Sequence, residues 1–330
     1  MVTAVGALRR ILMAPSLDEV TFARRGFPVE ETAHTRALET IPQAVVCGFE
    51  WAIEAGDPKE TERHLALVDP ELQGFAYEGA TMACVVRDAM GPGKGHRTLD
   101  LLRGPGAPHI FLNYIGIGFA MARLPRPLWK KVLPDLTDSA DGPPLYPQMS
   151  WLAVDGYGFD KAYFDTARHV DAQHTPAAYP WQGDAAYFSR AVDQGIGRAL
   201  WFIHGAHTAH VDAAVRRFAS ARHADLWSGV GLAATFAGSS HAEDLAALRR
   251  LAGEHAPQVA QGSVFAGKAR HHSRVVPEHT RIAVRELAGL SVEDAAALAD
   301  DCAVESGDGA LPAYELWRES VRGKLPVNAG

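Results

Sequence analysis

Three carboxylates are the first places to look for chemistry. Glu78 stands between Tyr77 and Gly79 in an otherwise apolar or small stretch, Asp155 precedes Gly156-Tyr157-Gly158-Phe159, and Asp193 opens Asp193-Gln194-Gly195-Ile196-Gly197-Arg198. A carboxyl buried among such neighbours is shifted toward its neutral form and suits a general acid or base. The plainer readings are that Glu78 faces solvent or caps a neighbouring helix and that Asp155 is a helix N-cap. Glycines inside a helical stretch cost stability, so Gly195 and Gly197 signal the close approach of another helix or a ligand. Gln258 and Gln261, three apart, share one helical face. Glu50, Trp51, Tyr77, Arg123, Gln194, Arg198, Trp201, Trp227, Gln258 and Gln261 complete the expected site as substrate-binding residues, with Arg123 and Arg270 as candidate partners for the carboxylates.

Other clusters are set aside on their chemistry. His204, His207 and His210 would suit zinc by type, but their spacing drifts around a helix and crosses Gly205, so no metal is expected. Asp300-Asp301-Cys302 reads as a helix-end charge cluster. Gly91-Pro92-Gly93-Lys94-Gly95 has His96 rather than Ser or Thr after its Lys-Gly pair, and no strand leads into it, so it is not read as a phosphate loop. No nucleophile elbow, HExxH or dinucleotide fingerprint occurs, and no cofactor is expected.

The elements that must position these residues read as helices. Apolar residues at helical spacing predict a helix over 30–55 ending at Gly56, then one from Asp57-Pro58, with Asp57 as N-cap, and one over 74–87. Ser16 and Glu19 fit a capping box. The small-residue stretch 109–123 could alternate as a strand, but its Ala-Arg-Leu-Pro ending favours a helix. Further helices are expected over about 157–170, 185–204, 208–219, 225–237, 241–254, 260–271, 278–288 and 291–300. Hardly any stretch has the β-branched density of a strand, so the expected fold class is all-α.

One pattern appears twice. At an ungapped offset of 150, Trp51 falls on Trp201, Tyr77 on Trp227, Gly79 on Gly229 and Ala83 on Ala233, which suggests a duplication with specialised polar residues where the copies differ. The expected organisation is an N-terminal helix and connection (1–25), a first repeat (26–123), a Pro-rich linker (124–150), a second repeat (151–305) and a fraying tail (306–330) with one turn near 311–321.

Composition narrows the function classes. With 330 residues, 47% apolar and 22% charged, the chain can bury a large core as an ordinary globular protein. A net charge of −7 and no run of more than two basic residues argue against nucleic-acid binding. Cys47, Cys84 and Cys302 are widely spaced and read as small buried hydrophobes in a reducing compartment. No secretion signal or bilayer-length apolar run is seen, so a cytoplasmic location is expected.

Taken together and in order, Arg25-Gly26-Phe27, Gly74-Phe75-Ala76-Tyr77-Glu78-Gly79-Ala80, Asp155-Gly156-Tyr157-Gly158-Phe159, Asp193-Gln194-Gly195-Ile196-Gly197-Arg198, Ser228-Gly229-Val230-Gly231-Leu232-Ala233 and Pro257-Gln258-Val259-Ala260-Gln261-Gly262 resemble the UnbL-like enediyne biosynthesis proteins. The resemblance spans about residues 20–290. It implies a role in turning the linear polyene released by an enediyne polyketide synthase into the enediyne core, alongside membrane and iodide-handling proteins of the same cassette. It carries over no catalytic residue. An apolar tunnel between the halves would suit a polyene, either as the site of an isomerase or cyclase using Glu78, Asp155 and Asp193, or as the hold of a non-catalytic carrier. A pure assembly subunit would need no pocket.

Overall fold

The computed structural model describes residues 6–7, 10–11, 14–91, 95–137 and 142–325, and among these the fold is all-α, with a single isolated bridge between Trp181 and Asp184 in place of any strand. The core of the glycine-rich run, Pro92 to Lys94, lies outside the described residues, as do positions 1–5, 8–9, 12–13, 138–141 and 326–330. The chain divides into two compact units, residues 1–26 with 39–157, and residues 27–38 with 158–330. No described helix is long and apolar enough to cross a membrane.

The first unit runs through helices α1 (Ala33–Glu54, from Glu39), α2 (Pro58–Leu65), α3 (Pro70–Met90), α4 (Arg97–Arg103), α5 (Ile110–Arg123) and the start of α6 (Leu152–Phe164). Short polar signals fix the ends. Ser16 and Glu19 exchange the hydrogen bonds of a capping box at 3.2 and 3.3 Å. Asp57 and Asp69 each accept from a backbone N–H two residues on, with Pro58 and Pro70 in the first turn. Helix α5 is buried on every face from Ile110 to Met121, which is why its sequence has no amphipathic period. Segment 124–150 is tied into this unit by two short 3-10 helices, Arg126–Lys131 and Pro147–Trp151, and by hydrogen bonds: the Trp129 indole donates to the Met121 carbonyl at 3.0 Å and the Tyr114 hydroxyl to the Leu145 carbonyl at 2.6 Å.

The second unit holds residues 27–38, the end of α6, and helices α7 (Phe188–Ile203), α8 (Thr208–Arg216), α9 (Ser220–Phe236), α10 (Ala242–Ala252), α11 (Ala256–Ser273), α12 (Glu278–Ala288), α13 (Val292–Asp301) and α14 (Ala313–Lys324). The tail expected to fray instead carries α14, whose Tyr314, Glu315, Trp317, Arg318 and Val321 are fully buried. The Gly/Pro-rich approach at 306–312 hides a helix whose packing face becomes apparent only when a core covers it.

Both units follow one order of long, short, long, short, long helices, and glycines set their contacts. A Cβ on Gly48 would meet the Ala76 carbonyl oxygen at 1.9 Å and one on Gly79 the Val45 oxygen at 1.8 Å; in the second unit Gly197 faces Leu226 at 2.0 Å and Gly229 faces Gln194 at 1.9 Å. Only a residue without a side chain permits backbones this close. These equivalent contacts correct the ungapped register. Gly48 corresponds to Gly197 and Gly79 to Gly229, so the first helices are offset by 149 and the second by 150. Trp51 therefore does not match Trp201: Trp51 is half-buried, 5.4 Å from the His64 ring, whereas Trp201 is fully buried and donates to the Gly238 carbonyl. The extra residue lies in the turn between α7 and α8.

Candidate functional site

The turn between α7 and α8 shapes the most distinctive concavity of the second unit. His204 caps α7, and the chain then reverses through Gly205 (φ 56°) and Ala206 (φ 63°) before His207 opens α8. A left-handed conformation at a non-glycine residue is strained, by on the order of 1 kcal/mol or more, and tends to mark functional surfaces. A second such pair, Gly238 (φ 70°) and Ser239 (φ 68°), follows α9 and forms the opposite wall. The segment before α1 closes the third side, where Thr32 and Thr35 cap each other's backbone N–H groups and Ser239 donates to the His34 carbonyl. The resulting recess has a volume of about 590 Å³ and is lined by residues 28–30, 32, 34, 35, 204–208, 210, 239–241 and 244.

Five imidazoles line it: His34, His204, His207, His210 and His241. The His207 and His210 rings stack at 3.9 Å, His34 and His241 meet edge to face at 5.1 Å, and His204 lies 6.3 Å from His210. Burial holds the His204 imidazole down at about 4, helped by the nearby His210, so it is neutral at pH 7. Its Nδ1 is buried and has no hydrogen-bond partner among the described residues. Among the described residues no three His, Cys, Asp or Glu side chains are placed to hold a metal ion, although the imidazole set is chemically suited to one. The recess thus combines a neutral His204 imidazole with a wall that includes Pro28, Val29 and Ala206.

The first unit has a hollow in the equivalent place, between the α1–α2 turn and the α3–α4 connection, of about 540 Å³. Arg87 and Arg97 in its lining are engaged in the fold. Arg87 caps α1 by donating to the Ala52 and Ala55 carbonyls, while Asp88 accepts from Arg97 and from the backbone and hydroxyl of Thr98. Burial, with Asp88 adding to it, pushes the Cys84 thiol up to about 12.

The residues expected from sequence fall in several places. Glu78 (2% exposed) and Asp155 (0%) are buried in the first unit, and Asp155 stands in the first turn of α6 rather than capping it from outside. Asp193 is in the second unit, gripped by the Arg222 guanidinium at 2.6–3.1 Å; burial raises its carboxyl and Arg222 opposes that shift. Tyr77 stacks on His109 at 4.9 Å, and burial pushes its hydroxyl up to about 12. Glu50 and Trp51 are half-buried, and Arg123 is exposed while Arg270 is buried over the Phe236 ring. Arg198 lies over the Phe159 ring at 5.1 Å, Trp201 and Trp227 are core, and Gln258 is half-buried with its side-chain oxygen unpartnered among the described residues.

Gln194 and Gln261 are brought into a buried polar network around α14. Gln194 donates to the Tyr314 hydroxyl at 2.8 Å, and Gln261 accepts from Ser228 and from Arg318 at 3.1 Å each. Arg318 also reaches Asp225, Glu315 and the Tyr187 hydroxyl at 2.8, 2.6 and 2.5 Å, while Arg190 bridges Asp225 and Glu315 at 2.9 Å each. Sequence reasoning missed this network, although Glu315, Arg318 and Arg322 at spacings of three and four were a legible sign of one charged helix face. It also set aside the histidines because a continuous helix would have spread them.

The fold and the recess together define an all-helical protein with twice-used helix order and a histidine-lined recess in its second unit. By sequence the chain belongs to the family described as "Protein of unknown function (DUF1702)", whose model matches residues 4–325. No curated protein and no solved structure matches it.

Proposed function

We propose that this protein acts in enediyne biosynthesis by binding the linear polyene made by the polyketide synthase during formation of the enediyne core, together with other proteins of the same cassette. The pathway rests on the resemblance of the glycine- and acid-containing motifs. The observation that carries the binding role is the recess of about 590 Å³ with a half-buried, neutral His204 imidazole whose Nδ1 has no partner among the described residues. A pocket of this size with few fixed polar groups is the ordinary form of a small-molecule site. Binding without conversion is favoured over catalysis by Asp193, because a carboxylate held by a guanidinium in this way is a poor proton carrier.

The test is native mass spectrometry of the protein with and without the polyene, followed by product analysis of the same mixture. A bound, unchanged polyene that is released by His204→Ala supports the carrier. A changed mass or absorbance would overturn the carrier and make the protein an enzyme. No binding by the folded protein overturns the reading in favour of an assembly subunit.

A further inference from the structure

Among the described residues no lysine or arginine lines the recess, yet five imidazoles do, and three helices of eight residues or more begin at its wall: α1 at Ala33, α8 at Thr208 and α10 at Ala242. Helix N-termini carry partial positive charge, and an imidazole can donate to an oxyanion in its neutral form and gain a full charge as the anion draws a proton to it. We propose that this recess recognises the carboxylate end of an apolar chain, with His204, His207 and His210 as the groups that hold the carboxylate. This rests on the recess being the ligand site, and it names the chemical class that the site selects.

His204 lines the recess, and its Nδ1 has no hydrogen-bond partner among the described residues. Burial, His210, Arg217 and His207 all hold His204 neutral, and Asp171 opposes them. An incoming carboxylate would reverse that balance and raise its proton affinity. Glu30 and Asp244 line the recess too, and both are exposed, so solvent screens their repulsion of a bound anion. The apolar wall of Pro28, Val29 and Ala206 suits the chain rather than the head group.

The experiment is isothermal titration of the full-length protein with octanoate, octanol and inorganic phosphate, at pH 6 and pH 8, in buffers of differing ionisation enthalpy. Octanoate should bind with proton uptake and about tenfold more tightly at pH 6 than at pH 8, the size expected of one charge-assisted hydrogen bond. His204→Ala should weaken octanoate by about tenfold and leave octanol unchanged. Because His204 is partly buried, the exposed His210→Gln serves as a second variant, with its fold checked by circular dichroism. Octanol binding as tightly as octanoate, without proton uptake, overturns the carboxylate assignment while leaving the ligand site standing. Octanoate binding unaffected by either variant overturns the site itself, and phosphate competing fully with octanoate would show an unselective anion hollow, which also overturns the proposal.

Discussion

At the scale of single residues, burial decides what each ionisable group can do. Glu315 is wholly buried, yet its carboxyl is held down at about 2: burial alone would raise it, and Arg318, Arg190 and Arg322 outweigh that penalty. Its contribution to stability is therefore complete above its ordinary value of 4.5 and is lost as the pH falls toward 2. Urea unfolding followed across that window should lose much of its acid sensitivity in Glu315→Gln. Removing Arg318 leaves two carboxylates buried beside one another, so Arg318→Ala should cost about 3–5 kcal/mol at pH 7, measured by the same unfolding. His204 works with the same sign. Because it is neutral when folded and protonates near 6.5 when unfolded, stability should rise with pH between about 4 and 6.5, and His204→Asn should flatten that rise. Cys84, with its thiol pushed up to about 12, should resist a thiol reagent at pH 8 until the protein is denatured.

At the scale of elements, glycines set how closely the helices approach and therefore which side chains meet. Gly79→Ala or Gly229→Ala would drive a methyl group to within 2 Å of a backbone oxygen on the facing helix. Each should destabilise by about 3 kcal/mol, the upper range of overpacking, or fail to fold. Gly323→Ala on α14 has open space around it and should be neutral or stabilise by up to about 1 kcal/mol through helix propensity. Thermal melts of the three variants check the contrast. The one-residue difference between the two turns matters at this scale as well. In the first unit two residues separate α1 from its following N-cap, Asp57; in the second, three residues separate α7 from His207, and the extra one allows the left-handed Gly205-Ala206 reversal that turns His204 into the recess.

At the scale of the whole molecule, α14 completes the second unit's core. Truncation after residue 306 would strip partners from Tyr187, Arg190, Gln194, Asp225 and Gln261 and expose the contacts of Trp317. The truncated chain should be recovered aggregated or with a cooperative melt lost, as size-exclusion chromatography and circular dichroism would report. Helix positions were legible in the sequence because they depend on local signals: Asp57-Pro58, Ser16 with Glu19, and apolar spacing along α1. The all-α class followed from the same signals, whereas the burial of Glu78 and Asp155 did not: the plainer readings had Glu78 facing solvent or capping a helix and Asp155 as an N-cap. The repeat's true register, the role of α14 and the recess were not legible, because each depends on residues far apart in the chain. Gly79 reveals its partner only when Val45 lies against it, Arg318 is costly to bury without Asp225, and His34 meets His241 only once a turn has reversed. The sequence by itself determined where helices form, since that is decided within a few residues; the tertiary structure alone decided which polar groups lose water together, and that loss governs pKa, strain and any capacity to bind.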